Sequence, residues 1–353
     1  MILEEASNAA TSSTCPNVST NRQSSIVVMG RDLISQMLSH THNIIHLAEI
    51  AANGGIDEAL RKLRGLSLDD FGEFMLELPA ADIPNLSSVL PRMASEEVQK
   101  DWTGKSGLAL LQQTTCFIRS VSYNYHKLLG KDLAERTILD FGCGYGRHLR
   151  LMYYFSAPQR IWGVDPWEKS IEICRADNVL GNLAVSDYLP RSLPVGQSKF
   201  DLIYAFSVFT HLSERATKLA LTTLRSYIAD DGLLVITIRP SEYWQLIAPT
   251  LPNIDPGSLV RLHNAGAFVF IPHAREPVEG EVTYGHTSFS FEWLMQHIPS
   301  WEMVGYDHLL NDPLQLVVYL RPRPTGARDR ARSWMISLRT IVTRRGKPAQ
   351  RAD

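Results

Sequence analysis

The chain has 353 residues, 44% of them apolar and 20% charged, the balance of a globular protein with a large core. No apolar run approaches the ~20 residues a membrane span needs, and Cys15, Cys116, Cys143 and Cys174 form no C-x-x-C pair. That spacing argues against a structural zinc site or a disulfide framework and for a reducing, cytoplasmic location.

The net charge of −2 is unevenly spread, with ten Arg or Lys against two Asp in residues 321–353 and a charge of −10 over residues 1–320. A basic body, the footprint of a nucleic-acid binder, is missing, and only the tail supplies one. The start, "MILEEASNAATSST", has two acids and no basic cluster, so it reads as neither a secretory signal nor a transit peptide.

In chain order, residues 1–27 are small and polar and predict disorder. Residues 28–100 predict a helical region. Ile34, Met37, Leu38, Ile45 and Ala48 recur at helical spacing until Gly54-Gly55, and "SLDDFGEFMLELP" reads as a helix capped by Ser67. His42, His46 and Glu49 share a helical face that tempts a metal reading. That face is the polar side of an amphipathic helix, so solvated side chains and no metal site are expected. "IPNLSSVLPRM", with two prolines, reads as an extended link. Helix returns up to "YHKLLG", with Trp102 before the sheet as a candidate lid residue or a core residue.

Residues 101–322 change texture. "TILDF", "RIWGV", "NLAVS", "FDLIYAF" and "GLLVITI" are nearly all apolar, as strands of a covered parallel sheet should be, and helical stretches separate them. "ADDGLL" reads as a turn into the last of these. Residues 239–285 are rich in Pro, Gly and His and read as an insertion with one strand, "AFVFIPH". A helix, "SFEWLMQHI", and the strands "WEMVGYD" and "LQLVVYL" close the domain. The expected fold is a seven-stranded, doubly wound α/β sheet, preceded by helices and interrupted after its fifth strand.

The first strand runs into Gly142, Gly144 and Gly146, with Asp140 two positions before the first glycine. In an open parallel sheet a ligand sits beyond the carboxyl ends of the strands. Glycine allows positive φ and close approach there, and the helix starting near Gly146 aims free N–H groups at the same place. The spacing is one residue shorter than G-x-G-x-x-G, and Asp140 would repel a pyrophosphate while suiting an ammonium. Asp165, ending the second strand, can accept ribose hydroxyls, and Asp187-Tyr188, ending the third, can meet the amino group of a purine. Ammonium, ribose and adenine without phosphate describe S-adenosylmethionine.

"ILDFGCGYG", "IWGVDPW", "SDYLP" and "FDLIYAFSVFTHL", in this order and spacing, resemble the motifs of class I S-adenosylmethionine-dependent methyltransferases over roughly residues 100–322. The resemblance implies a topology ending in two strands, the last antiparallel. It implies that Gly142 and Gly144 lie against the methionine part, with Asp140 near and Cys143 and Gly146 in the same turn. It further implies that Asp165, beside Pro166, holds the ribose, that Asp187 and Tyr188 meet the adenine edge, and that Ala205 and Phe206 line the far side.

Methyl transfer is an in-line displacement that needs alignment, exclusion of water and often loss of an acceptor proton. The place after the fourth strand reads "AFSVFTHL", without the Asn/Asp-Pro-Pro-Tyr stretch of enzymes acting on planar amino groups. A hydroxyl, carboxyl, amine or carbon acceptor stays open. His211 at that mouth is the first candidate base and His286 the second, with Tyr284 and His286 as candidate substrate contacts. Arg147 reads as a carboxylate ligand or a solvated first-turn arginine.

Residues 323–353 place Trp334, Leu338, Ile341 and Val342 on one face flanked by arginines. Such a helix suits its own domain or, peripherally, an anionic inner-membrane surface. The expected acceptor is a hydroxyl of a sugar, glycan or small metabolite, with nucleic acid disfavoured. The alternatives are an RNA methyltransferase using the tail and a cofactor-binding module that has lost catalysis and serves a partner.

Overall fold

The computed structural model describes residues 39–324 apart from 252 and 253, so the expectations for the N-terminus and the basic tail lie outside the described residues. Residues 39–51 (α1) are helical. They lead to α2 (Ile56–Leu63), α3 (Leu68–Glu77), α4 (Pro84–Val89), α5 (Glu96–Thr103) and α6 (Gly107–Leu129). Ser67 caps α3 as expected, its hydroxyl accepting the Asp70 N–H at 3.0 Å.

The stretch read as an extended link is helical over α4. Pro84 stands at the first helical position, where its fixed φ suits and its missing N–H costs nothing. The Glu49 carboxylate accepts the N–H groups of Asn85 and Leu86 at 2.9 and 2.8 Å. Glu49 is therefore a helix cap rather than a solvated neighbour of the exposed His42 and His46.

From residue 137 the chain alternates through β1 (Ile138–Phe141), α7 (Arg147–Met152), β2 (Ile161–Asp165), α8 (Glu168–Ala176), β3 (Asn182–Val185), β4 (Phe200–Ala205), α9 (Glu214–Tyr227) and β5 (Ile228–Ile238). The insertion holds α10 (Tyr243–Ile247), α11 (Pro256–Asn264), β6 (Val269–Pro272) and β7 (Gly285–Ser288). Then follow α12 (Phe291–His297), β8 (Trp301–His308) and β9 (Leu316–Pro322).

Seven strands make one sheet of order β3-β2-β1-β4-β5-β9-β8. The first five are parallel, and β9 runs antiparallel between β5 and β8. Period-two alternation splits the core. Ile138, Tyr204 and Val235 face a cluster shared with Phe117 of α6 and Leu149 of α7, while Leu139, Ile203 and Leu234 face one shared with Leu224 of α9 and Trp293 of α12. Leu63, Phe71 and Phe74 enter the first cluster, so the helices before residue 101 share a core with the sheet.

Two departures stand out. The "ADDG" segment expected as a turn belongs to β5, where a register shift against β4 between Phe200 and Leu202 absorbs the irregularity. The insertion is richer than one strand. It has two helices, a β6–β7 hairpin reaching Ser288, and its own small core of Tyr243, Trp244, Leu259 and Val269. The cue for α11 was legible, since Asp255 caps it by accepting the Gly257 N–H at 2.9 Å with Pro256 at the first position.

Candidate active site

Strands β1, β2, β3 and β4 bring the cofactor candidates to one edge of the sheet. Asp140 lies opposite Gly163 of β2 and Tyr204 of β4 and is fully buried. Neither carboxylate oxygen has a hydrogen-bond partner of good geometry among the described residues. Burial pushes this carboxyl up to about 8, with the Tyr204 hydroxyl beside it pulling the other way. An orphaned buried acid is costly, and a cationic ligand relieves it.

The turn that follows has φ of +82° at Gly142, +54° at Gly144 and +77° at Gly146. At Gly142 a Cβ would also run into the Val208 side chain, so the loop after β4 closes directly over this turn. Its N–H groups are less open than the sequence suggests. Gly142 and Cys143 donate to the Val164 carbonyl at 2.8 and 3.1 Å, and Gly144 donates to Asp165 Oδ2 at 2.9 Å. The helix behind it, α7, has only six residues.

Asp165, expected to hold a ribose, therefore also anchors the turn. Its Oδ1 accepts from the Trp167 N–H at 2.9 Å and the Ser170 hydroxyl at 3.0 Å. Three contacts leave room for about one more donor on a carboxylate with about four lone-pair sites, short of the two hydroxyls expected. Burial raises its pKa and these contacts hold it back.

Trp102 of α5 stacks on Trp167, centroids 4.8 Å apart, and lies 3.7 Å from where a Gly144 Cβ would stand. It forms an aromatic wall over the glycine turn. Pro166, Ser186, Asp187, Tyr188 and Glu279 line a groove of about 440 Å³. Across it Glu279 accepts from Arg191 at 2.7 and 3.0 Å and pairs with Arg215, tying the insertion to the rim. Ala205 is buried, and the Phe206 ring packs on Phe117 and His148 with the Arg147 guanidinium 4.9 Å above it. Arg147 is half-buried and pairs with no carboxylate among the described residues. It donates to Gln113 Oε1 at 2.9 Å and Thr114 Oγ1 at 3.3 Å.

At the mouth expected to take the acceptor, the insertion folds back on the loop after β4. Gly285 N–H donates to the His211 carbonyl at 2.8 Å, and Thr287 N–H to the Thr210 carbonyl at 3.0 Å. This pairing sets Tyr284 flat against His211, centroids 4.8 Å apart at 3°, and His286 within 6.4 Å. His211, expected as the first base, has both ring nitrogens engaged. Nδ1 lies 2.8 Å from the Gly285 carbonyl oxygen and Nε2 lies 3.2 Å from Arg239 Nη2. Burial and the Arg239 charge lower its pKa to about 3. In this arrangement His211 has no free basic nitrogen.

His286 differs. Its Nδ1 is 2.6 Å from the Tyr243 hydroxyl, and burial with the neighbouring His273 lowers its pKa to about 4. The tyrosine oxygen can accept from Nδ1–H, and in that tautomer Nε2 is the basic nitrogen.

Sequence reasoning missed Arg239, Tyr243 and His273. A charged residue directly ending an apolar strand, as in "VITIRP", was the available signal for Arg239. Among the described residues no group of three or more His, Cys, Asp or Glu side chains is arranged to hold a metal ion. Among them, too, no helix is long and apolar enough to cross a membrane.

An orphaned acid beside a glycine turn asks for a cation lying against the chain, and the next two strands end in acids suited to hydroxyls and an amine. The residues present thus fit S-adenosylmethionine, and on this sheet order they define a class I S-adenosylmethionine-dependent methyltransferase. A family model described as "Methyltransferase domain" matches residues 115–298, just over half of the chain, and the chain belongs to that family. Its cofactor is S-adenosylmethionine.

Among characterised proteins, a tRNA U34 carboxymethyltransferase of Idiomarina loihiensis is 33% identical over 118 residues, covering 30% of this chain. The chain spans about a third (33%) of that relative's length. A solved S-adenosylmethionine-dependent methyltransferase from Clostridium acetobutylicum is 11% identical, with 59% of this chain and 90% of that chain covered at a TM-score of 0.40. For a magnesium protoporphyrin IX methyltransferase from Synechocystis the values are 13%, 64%, 92% and 0.41.

Proposed function

We propose that this methyltransferase acts on a hydroxyl of a sugar, glycan or small metabolite bound between the β4 loop and the insertion. The observation that carries the reading is the imidazole and phenol cluster of His211, His286, Tyr243 and Tyr284 at that mouth. It is equipped to take a hydroxyl proton and to exclude water.

S-adenosylmethionine supplies an electrophilic methyl group on a sulfonium. Asp140 takes the ammonium of that cofactor, Asp165 a ribose hydroxyl, and Asp187 with Tyr188 the adenine edge. The Gly142–Gly146 turn, with Cys143 inside it, lies along the methionine part. Pro166 borders the adenine groove, and Ala205 and Phe206 wall the far side. His286 accepts the acceptor's proton at Nε2, Tyr243 orients its ring, and Tyr284 packs against the acceptor. His211 acts as a positioning residue.

A second reading, transfer to RNA, is favoured by the likeness to the Idiomarina tRNA U34 carboxymethyltransferase and by the +8 charge of residues 321–353. Against it stands the acidic remainder of the chain. Incubation with methyl-labelled cofactor and either a small-molecule filtrate or total RNA decides. Label in the filtrate is expected, whereas nuclease-sensitive label in RNA overturns the small-acceptor reading.

A further inference from the structure

At the proposed acceptor mouth stands a guanidinium, Arg239, that pairs with no carboxylate among the described residues. Arg239 follows β5 directly, and its guanidinium lies 3.6 Å over the Tyr243 ring. Its Nε–H donates to the Thr210 carbonyl at 3.2 Å and one Nη2–H to His211 Nε2 at 3.2 Å. The two His211 contacts assign its tautomer. Nδ1–H donates to Gly285, so Nε2 is a lone pair and the ring is neutral.

Among the described residues no carboxylate pairs with Arg239. Asp312, whose field reaches it, is engaged by the side chains of Gln113 and Gln315 at 2.8 and 3.2 Å. The other neighbours add no negative charge. His273 and His286 pack 4.4 Å apart, and Arg275 lies 4.2 Å over the Tyr284 ring.

A guanidinium has five N–H donors, and two are spent. Both Nη1 donors and one on Nη2 have no partner among the described residues, which leaves the Nη1–Nη2 edge. That edge matches two oxygens of a carboxylate or phosphate. Its plane is fixed from three sides by Thr210, His211 and Tyr243, so it is preorganised for such a group.

We propose that Arg239 holds a carboxylate or phosphate of the methyl acceptor through its Nη1–Nη2 edge, an assignment that rests on the small-acceptor reading above. The anion and the methylated hydroxyl then belong to one molecule, with Arg239 setting which hydroxyl reaches His286.

The test uses the full chain, labelled cofactor and a macromolecule-free extract split by anion exchange into retained and flow-through pools. Labelled product is expected from the retained pool, and the product itself should be retained. Phosphatase then separates the sources, freeing the product if the anion is a phosphate and leaving it bound if a carboxylate. Label only in a neutral product from the flow-through overturns the anion site and leaves methyl transfer standing. Label from neither pool overturns the small-acceptor reading and the anion site with it.

With the retained acceptor, Arg239→Gln should raise KM about 10–100-fold at unchanged cofactor affinity, and Arg239→Lys should fall between. An unchanged KM overturns the site. Should Arg239→Gln fail to fold, competition in the native chain decides. Inorganic phosphate or acetate should compete with the acceptor, and competition by neither overturns the proposal.

Discussion

His211 accepts a hydrogen bond from Arg239 at Nε2 across 3.2 Å while its Nδ1 lies 2.8 Å from the Gly285 carbonyl oxygen. One imidazole thus joins the β4 loop, the end of β5 and the insertion. A ring spent in this way has both nitrogens engaged, which is why a positioning role is proposed for it.

His211→Ala should therefore raise the acceptor KM by roughly fivefold, the value of one hydrogen bond of about 1 kcal/mol, and leave cofactor affinity intact. His211→Gln, whose amide oxygen can still accept from Arg239, should restore much of the loss. The pH profile of turnover should not change in either. Disappearance of a pH limb in His211→Ala would make it the base after all.

In the proposed mechanism His286 is the base, and its removal should cost ~10²–10⁴-fold in turnover. Burial lowers its pKa to about 4, so it is neutral and competent throughout the physiological range. Turnover should hold level from pH 8 down to about 5 and fall as the ring protonates near its pKa of about 4. A limb centred near pH 6.5 would point to a solvated histidine instead.

Asp140 links binding to stability. Its folded carboxyl titrates at about 8 instead of 3.8, so the folded state keeps a proton that the unfolded chain has lost between those values. Stability without cofactor is full below about pH 4 and declines as pH rises through 8. Asp140→Asn should remove that decline, gaining more than ~1 kcal/mol at pH 9, while weakening cofactor binding by about 1.5–3 kcal/mol. Thermal melts across pH and calorimetric titration read the two effects, and melts that fall with pH as steeply as in the native chain would refute the first.

Asp165 has two duties that one substitution separates from mere affinity loss. Asp165→Ala orphans the Gly144 and Trp167 N–H groups, so about 1–3 kcal/mol of stability should go together with cofactor affinity. Urea melts beside titration with S-adenosylmethionine check it. A variant that loses affinity at native stability would show that the turn stands without this carboxylate.

The sheet was legible because its strands are apolar runs, and burial on both faces enforces that pattern locally. Asp140, Asp165 and the glycine turn were legible for the same reason, since each sits at or just beyond the end of a strand. The short helix α4 was hidden because its start depends on Glu49, a carboxylate 36 residues away in the chain. The acceptor mouth was hidden more deeply. Arg239, Tyr243 and His273 carry no spacing signal, and the engagement of both His211 nitrogens arises only when the insertion pairs with the β4 loop. Local sequence determined the strand ends that present the cofactor groups. Tertiary pairing decided which imidazole is free to act, because a ring's chemistry depends on what its two nitrogens already bind.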